Sequence, residues 1–179
     1  MQSTAAHALL DQLLSQWQEV IGTDYVGYRN HCQRMITFCF ALRNCTPEEQ
    51  EKVAIAACFH DIGLWTARTL DYLEPSVAPA VVYLENRGIP SWVDEIRLMI
   101  TEHHRLRATH NTTLPLVEAF RQADLVDFSL GMVTFGLPRT LIREVKTLFP
   151  NAGFHKGLAN KASAWFIRHP LNPAPMMKW

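Results

Sequence analysis

Apolar positions recur at steps of three and four along most of the chain, the spacing of helices that bury one face. Leu9, Leu10, Leu13, Leu14 and Trp17 predict a helix from Ala5 to about Val20, closed by Gly22. Tyr28, Cys32, Met35, Cys39 and Leu42 predict a second from Tyr25 to Arg43, with His31 flanking its apolar stripe. A helix over Ser76–Arg87 stops at Gly88. Ser91 and Asp94 have the form of a capping box for a helix reaching His104, on which Ile96, Met99, Ile100 and His103 share a face. A polar loop follows at 105–113, and Pro115 opens a helix to about Phe128 in which Val117, Phe120 and Asp124 form one row. Gly131 and Gly136 break the chain. Pro138–Phe149 then turns Leu141, Ile142, Val145 and Leu148 inward, and Asn151–Arg168 carries Phe154, Leu158, Ala162 and Trp165. The proline-rich tail from Pro170, ending in Met177 and Trp179, is expected to lie extended over the body.

One stretch departs from this amphipathic pattern. Val53–Phe59 is apolar on every side and runs directly into His60, Asp61, Ile62 and Gly63. Such a segment reads as a buried central helix. Thr46 and Glu49 form a capping box, Pro47 suits the first position and Gly63 suits a left-handed C-terminal residue, so the helix is expected over roughly 47–61. His60 then falls on the stripe of Val53 and Ala56, and Asp61 places a negative charge where the helix dipole is already negative. A buried His-Asp pair at that end is costly without a cation beside it, and a divalent metal ion supplies one.

No period-two strand, repeat or long linker appears, so the expectation is one all-α domain over residues 1–179. The chain has 17 basic and 17 acidic residues, which gives no electrostatic footprint for nucleic acid and no basic run for a membrane surface. Cys32, Cys39, Cys45 and Cys58 lack Cys-x-x-Cys spacing and read as buried small hydrophobes, which suits a reducing cytoplasm. No signal peptide or membrane-spanning stretch is evident, so the expected location is cytoplasmic.

Three inward-facing polar sites on three helices remain: His31, His60-Asp61 and Asp124. Two imidazoles and two carboxylates form a mixed nitrogen and oxygen set that suits one borderline or hard divalent ion (Mn, Fe, Co, Ni, Zn or Mg) and leaves room for water and substrate. Their order, with His-x-x-Arg at His31–Arg34, HDIG at His60–Gly63 and Ala-Asp before an apolar pair at Ala123–Val126, resembles the HD-domain superfamily of metal-dependent phosphohydrolases.

The resemblance covers about residues 25–130, leaving the C-terminal helices and tail at 138–179 outside it. It implies an HD-domain helical bundle, a metal site made by His31, His60, Asp61 and Asp124, and hydrolysis of a small phosphate ester such as a nucleotide. Members with two ions use further histidines. This chain offers His103, His104 and His110 in the later segment and none near Glu74, which favours one ion. The Glu or Lys that several relatives place after the HD pair is replaced by Leu64 and Trp65, which keeps a hydratase or non-phosphate hydrolase open, beside a non-catalytic binding module.

Candidate catalytic groups are Asp61, Asp127 and His103, and candidate substrate contacts are Arg34, His103 and His104; His103 is preferred to His104 as a site residue because it lies on the inward row. Asp127 suits a base, a ligand-orienting group or a surface cap equally. Arg105 and Arg107 read as a solvated helix end, and His7, His155 and His169 as structural or exposed.

Overall fold

A computed structural model describes residues 4–105, 107 and 114–177. Among them the architecture is all-α. The first five helices are α1 (Thr4–Ser15), α2 (Gln18–Ile21), α3 (Tyr25–Leu42), α4 (Pro47–Phe59) and α5 (Gly63–Thr66). The rest are α6 (Leu73–Asn86), α7 (Val93–Glu102), α8 (Pro115–Phe128), α9 (Arg139–Leu148) and α10 (Phe154–Arg168). No described helix is long and apolar enough to cross a membrane. Most of the polar loop, including His110, lies outside the described residues, as does Trp179.

Helix α4 is the axis. Its capping box forms: Glu49 N–H donates to Thr46 Oγ1 at 3.2 Å and Thr46 N–H donates to the Glu49 carboxylate at 2.7 Å. From Val53 to Phe59 every residue is buried, and α1, α3, α6, α7 and α8 all pack on it. The four cysteines are buried and form no disulfide.

Several boundaries move, each for a local reason. The first helix ends at Ser15, because Gln16 and Trp17 donate three residues back to Leu13 and Leu14 and tighten the chain. Trp17 thereby reaches Phe59 edge-on, with ring centroids 6.1 Å apart. The capping box expected at Ser91 does not form. Pro90–Trp92 winds a tight turn, and Trp92 takes the N-cap position without a side-chain acceptor. Helix α6 starts earlier than expected, at Leu73, and α10 later, at Phe154 behind a left-handed Gly153. On α9, Ile142 and Val145 are buried, but Leu148 is 60% exposed and faces solvent. The tail makes turns, with Asn172 N–H on His169 O and Met177 N–H on Ala174 O, rather than running extended.

Gly63 is not the left-handed residue that the sequence suggests. It opens α5 in a helical conformation, and its small size is needed for close approach: a Cβ there would lie 2.5 Å from the Tyr72 carbonyl oxygen. Its N–H donates to Ser76 Oγ at 2.9 Å, which clamps the turn after Asp61 against the start of α6.

Candidate metal centre

The four expected ligands sit on elements fixed by this core. His60 caps α4 and is fully buried, and Asp61 follows at 4% exposure. Tyr28 on α3 ties that corner down, since its hydroxyl donates to Cys58 O at 3.0 Å and accepts from Asp61 N–H at 3.3 Å. His31 comes from α3, Asp124 from α8 and His103 from the end of α7.

The hydrogen-bond partners assign the histidine tautomers. His60 Nδ1 lies 2.8 Å from the Ala57 carbonyl oxygen and His103 Nδ1 lies 2.7 Å from the Ile100 carbonyl oxygen. A carbonyl only accepts, so both Nδ1 atoms carry hydrogen and both Nε2 atoms keep a lone pair when the rings are neutral. His31 Nδ1 meets Asp127 Oδ2 at 2.7 Å. Burial alone would raise the Asp127 pKa, but the fork of Arg34, whose Nε and Nη2 reach its oxygens at 2.5 and 2.7 Å, outweighs burial together with His31 and holds it far below the usual carboxylate range. Asp127 therefore stays ionised and accepts from His31, leaving the His31 Nε2 lone pair directed at the site.

Acceptors thus face one another. His31 Nε2 and His60 Nε2 are 3.1 Å apart, His60 Nε2 and Asp61 Oδ2 are 3.3 Å apart, and His31 Nε2 lies 3.5 Å from Asp124 Oδ1. His103 Nε2 and Asp61 Oδ1 approach to 3.3 Å, yet both are buried atoms without a hydrogen-bond partner. Lone pairs and carboxylate oxygens in mutual contact inside a protein are repulsive unless a cation or proton lies among them. The residues fit a divalent ion on that ground.

The ligand atoms of His31, His60 and Asp61 lie within 4.8 Å of one another, and so do those of Asp61, His103 and His104, so the two groups share Asp61. Burial depresses the His60 pKa, but Asp61 and then Asp124 outweigh it and raise it. Burial likewise disfavours charge on Asp61, but His60 and His103 hold its pKa well below normal. For Asp124 burial prevails over His103, His31 and His60, and its pKa rises.

Beside this cluster lies a cavity of about 250 Å³. His31, Asp61, Asp124 and His104 line it, with Tyr72 and His155, and the other described lining residues are apolar. Tyr72 hydrogen-bonds His104 Nε2 through its hydroxyl. Burial and the charge of Asp61 push the Tyr72 pKa well above its ordinary value, so the hydroxyl keeps its proton, while burial and His103 push the His104 pKa well down.

One expectation changes here and two are narrowed. Arg34, a candidate substrate contact, is 1% exposed and spent on Asp127 and on the Phe149 and Pro150 carbonyls. Of the roles open to Asp127, the structure shows the ligand-orienting one: it positions His31 from behind and is absent from the cavity wall. His103, preferred to His104 as a site residue, faces Asp61 within the cluster, and His104 lines the cavity. Arg105 pairs with Glu102, Arg107 is exposed, and neither lines the cavity.

Sequence reasoning missed Tyr72, which lies in a segment without periodicity, and left His155 as structural or exposed. His155 accepts from the Asn151 amide at 2.6 Å, and its Nε2–H donates to Asp127 O at 3.2 Å. The four-residue interval from Asn151 to His155 was its available signal. Comparison of the chain with protein-family models, curated proteins and solved structures finds no match.

Proposed function

We propose that the protein is a metal-dependent hydrolase of a small molecule, built on an HD-type helical bundle. The observation that carries this reading is the convergence of three tautomer-fixed imidazole Nε2 atoms on the buried Asp61 carboxylate, one of whose oxygens has no hydrogen-bond partner, beside a cavity. His31, His60 and Asp61 would hold the ion, with Asp124 beside His31. A bound divalent ion supplies an acidified water and a Lewis acid for the substrate's electrophilic group.

The chain's own groups do the rest. Asp127 and the Ala57 carbonyl hold His31 and His60 in the ligating tautomer. The apolar wall excludes water from the reacting group. The Tyr72 hydroxyl, hydrogen-bonded to His104 and protonated, is a proton-carrying group on the cavity wall.

No Lys or Arg is among the described residues lining the cavity, which favours the non-phosphate branch considered from the sequence: hydrolysis or hydration of an uncharged carbonyl or nitrile compound. A phosphate ester is the second reading, favoured by the second group Asp61, His103 and His104, where another cation would supply the positive charge that the side chains do not.

Elemental analysis and turnover of a panel of esters, amides, nitriles, nucleotides and p-nitrophenyl phosphate, after loading with Mn, Fe, Co, Ni, Zn or Mg, test the proposal. Metal is expected to bind the wild type and to be lost in both His60→Ala and Asp61→Ala, with activity lost alongside it. Full metal occupancy in Asp61→Ala overturns the ligand assignment. A loaded wild type that turns over nothing in the panel overturns the enzyme.

A further inference from the structure

We infer that the substrate is a small uncharged molecule with a short alkyl or aryl body, and that Met176 and Met177 of the C-terminal tail are the residues that read this body. The inference rests on the metal-dependent hydrolase reading and adds to it which residues of the cavity wall recognise the substrate's body.

The cavity wall combines two kinds of residue. Ligating and proton-carrying groups (His31, Asp61, Asp124, His104 and Tyr72) line it together with Leu64, Leu70, Leu158, Ala162 and the two tail methionines. At about 250 Å³ it is slightly below the ~300–1,000 Å³ usual for ligand pockets, so a compact body fills it. A permanent charge on that body would meet no counter-charge on the described apolar wall and would lose its hydration there.

The tail is fastened where it forms this wall. The Trp165 indole N–H donates to Asn172 O at 2.8 Å, the Met177 N–H closes a turn on Ala174 O at 3.1 Å, and Met176 packs against the cluster of Leu64, Leu70, Tyr72 and Leu73. That cluster begins at Leu64, just beyond the His60-Asp61 pair, so the tail touches the same small unit that carries the chemistry. Unbranched thioether side chains adapt to the shape of whatever fills the space against them.

The test uses full-length protein loaded with cobalt and follows its visible absorption during titration with acetohydroxamate, butyrohydroxamate and hexanohydroxamate, with butylphosphonate and inorganic phosphate as charged comparators. Hydroxamates ligate the metal through one end and extend the alkyl body from the other. Affinity is expected to rise about fourfold per added methylene until the cavity is full, and butylphosphonate is expected to bind more weakly than butyrohydroxamate. The double variant Met176→Ala, Met177→Ala is expected to flatten that rise while its cobalt content and thermal unfolding stay as in the wild type.

Equal affinity along the series, tighter binding of butylphosphonate, or an unchanged rise in the double variant each overturn the inference. A rise along the series without turnover of any panel compound supports this inference and removes the hydrolase. Phosphate release with a flat series does the reverse.

Discussion

Around α4, Val53 through Cys58 are wholly inaccessible and Phe59 is 2% exposed, with five helices pressed against them. Beneath α10 the packing is thinner. Leu64, Leu70, Tyr72 and Leu73 are buried, but they are covered by Leu158, Ala162, Trp165 and Met176, all only partly buried, and Phe154 is the one buried residue of that helix. The outer face of α10 leaves Phe166 and Ile167 at 55% and 79% exposure. The two regions meet at Asp61. The dense one fixes imidazoles to within hydrogen-bond tolerance, and the thin one supplies a wall that adapts. On the proposed reading the site would take its precision from the dense side and its choice of substrate from the adaptable one.

The largest effect should come from breaking the dense side through its buried charges. Asp127→Asn keeps the volume but leaves the Arg34 guanidinium, 1% exposed, without its counter-charge. Loss of one partner from a buried pair costs about 3–5 kcal/mol, and a lost carboxylate behind a metal-bound histidine lowers metal affinity about 10–100-fold. The pH dependence has a definite sign. The folded-state pKa of Asp127 is depressed below its ordinary 3.8, so its contribution to stability is present above that value and disappears as pH falls through the folded value. Denaturant unfolding should show a wide gap between wild type and variant near neutral pH that narrows under acid conditions. A gap that stays constant from neutral pH down through the acid range would mean that the ion pair is not its source.

A middle-sized effect belongs to the seam between the regions. Gly63→Ala places a methyl group 2.5 Å from the Tyr72 carbonyl and 2.9 Å from Ser76 Oγ, so the turn after Asp61 must shift. Overpacking of this kind costs about 1–3 kcal/mol. The shift also moves Tyr72 relative to Asp61, so metal affinity should fall together with melting temperature. Unaltered affinity in a destabilised Gly63→Ala protein would show that the seam does not transmit to the site.

The sequence carried the dense side well and the thin side poorly, for physical reasons. An all-apolar run ending in His-Asp, a capping box at Thr46 and a row through Asp124 are local patterns, and local patterns set helices and their buried faces. His31, His60 and Asp61 were legible because each ends or flanks such a stripe. The pairing of Arg34 with Asp127 was not, since it joins residues 93 positions apart and only the packing of α3 on α8 creates it. Tyr72 and the tail methionines lie in segments without periodicity, where nothing short of the folded chain shows what they face. Ser91 failed as a cap for a different reason: Pro90 starts a turn before the helix can begin.

The smallest effect is expected from Leu158→Ala, the change that most directly compares the two kinds of packing. A leucine truncated in a fully buried core costs about 2–5 kcal/mol, much of it from a cavity that cannot collapse. Leu158 is only partly buried, on a wall shared with an existing cavity and a methionine able to follow it. Its truncation should therefore cost about 1 kcal/mol or less, on the order of an ordinary exposed or half-exposed substitution. The same truncation at Leu10, which is fully buried, gives the reference value. Metal content in the Leu158→Ala protein should match the wild type, because the ligands hang from the other side. A loss at Leu158 as large as that at Leu10 would show that the covering of α10 is as tightly packed as the core, and the division between a rigid face and an adaptable one would be wrong.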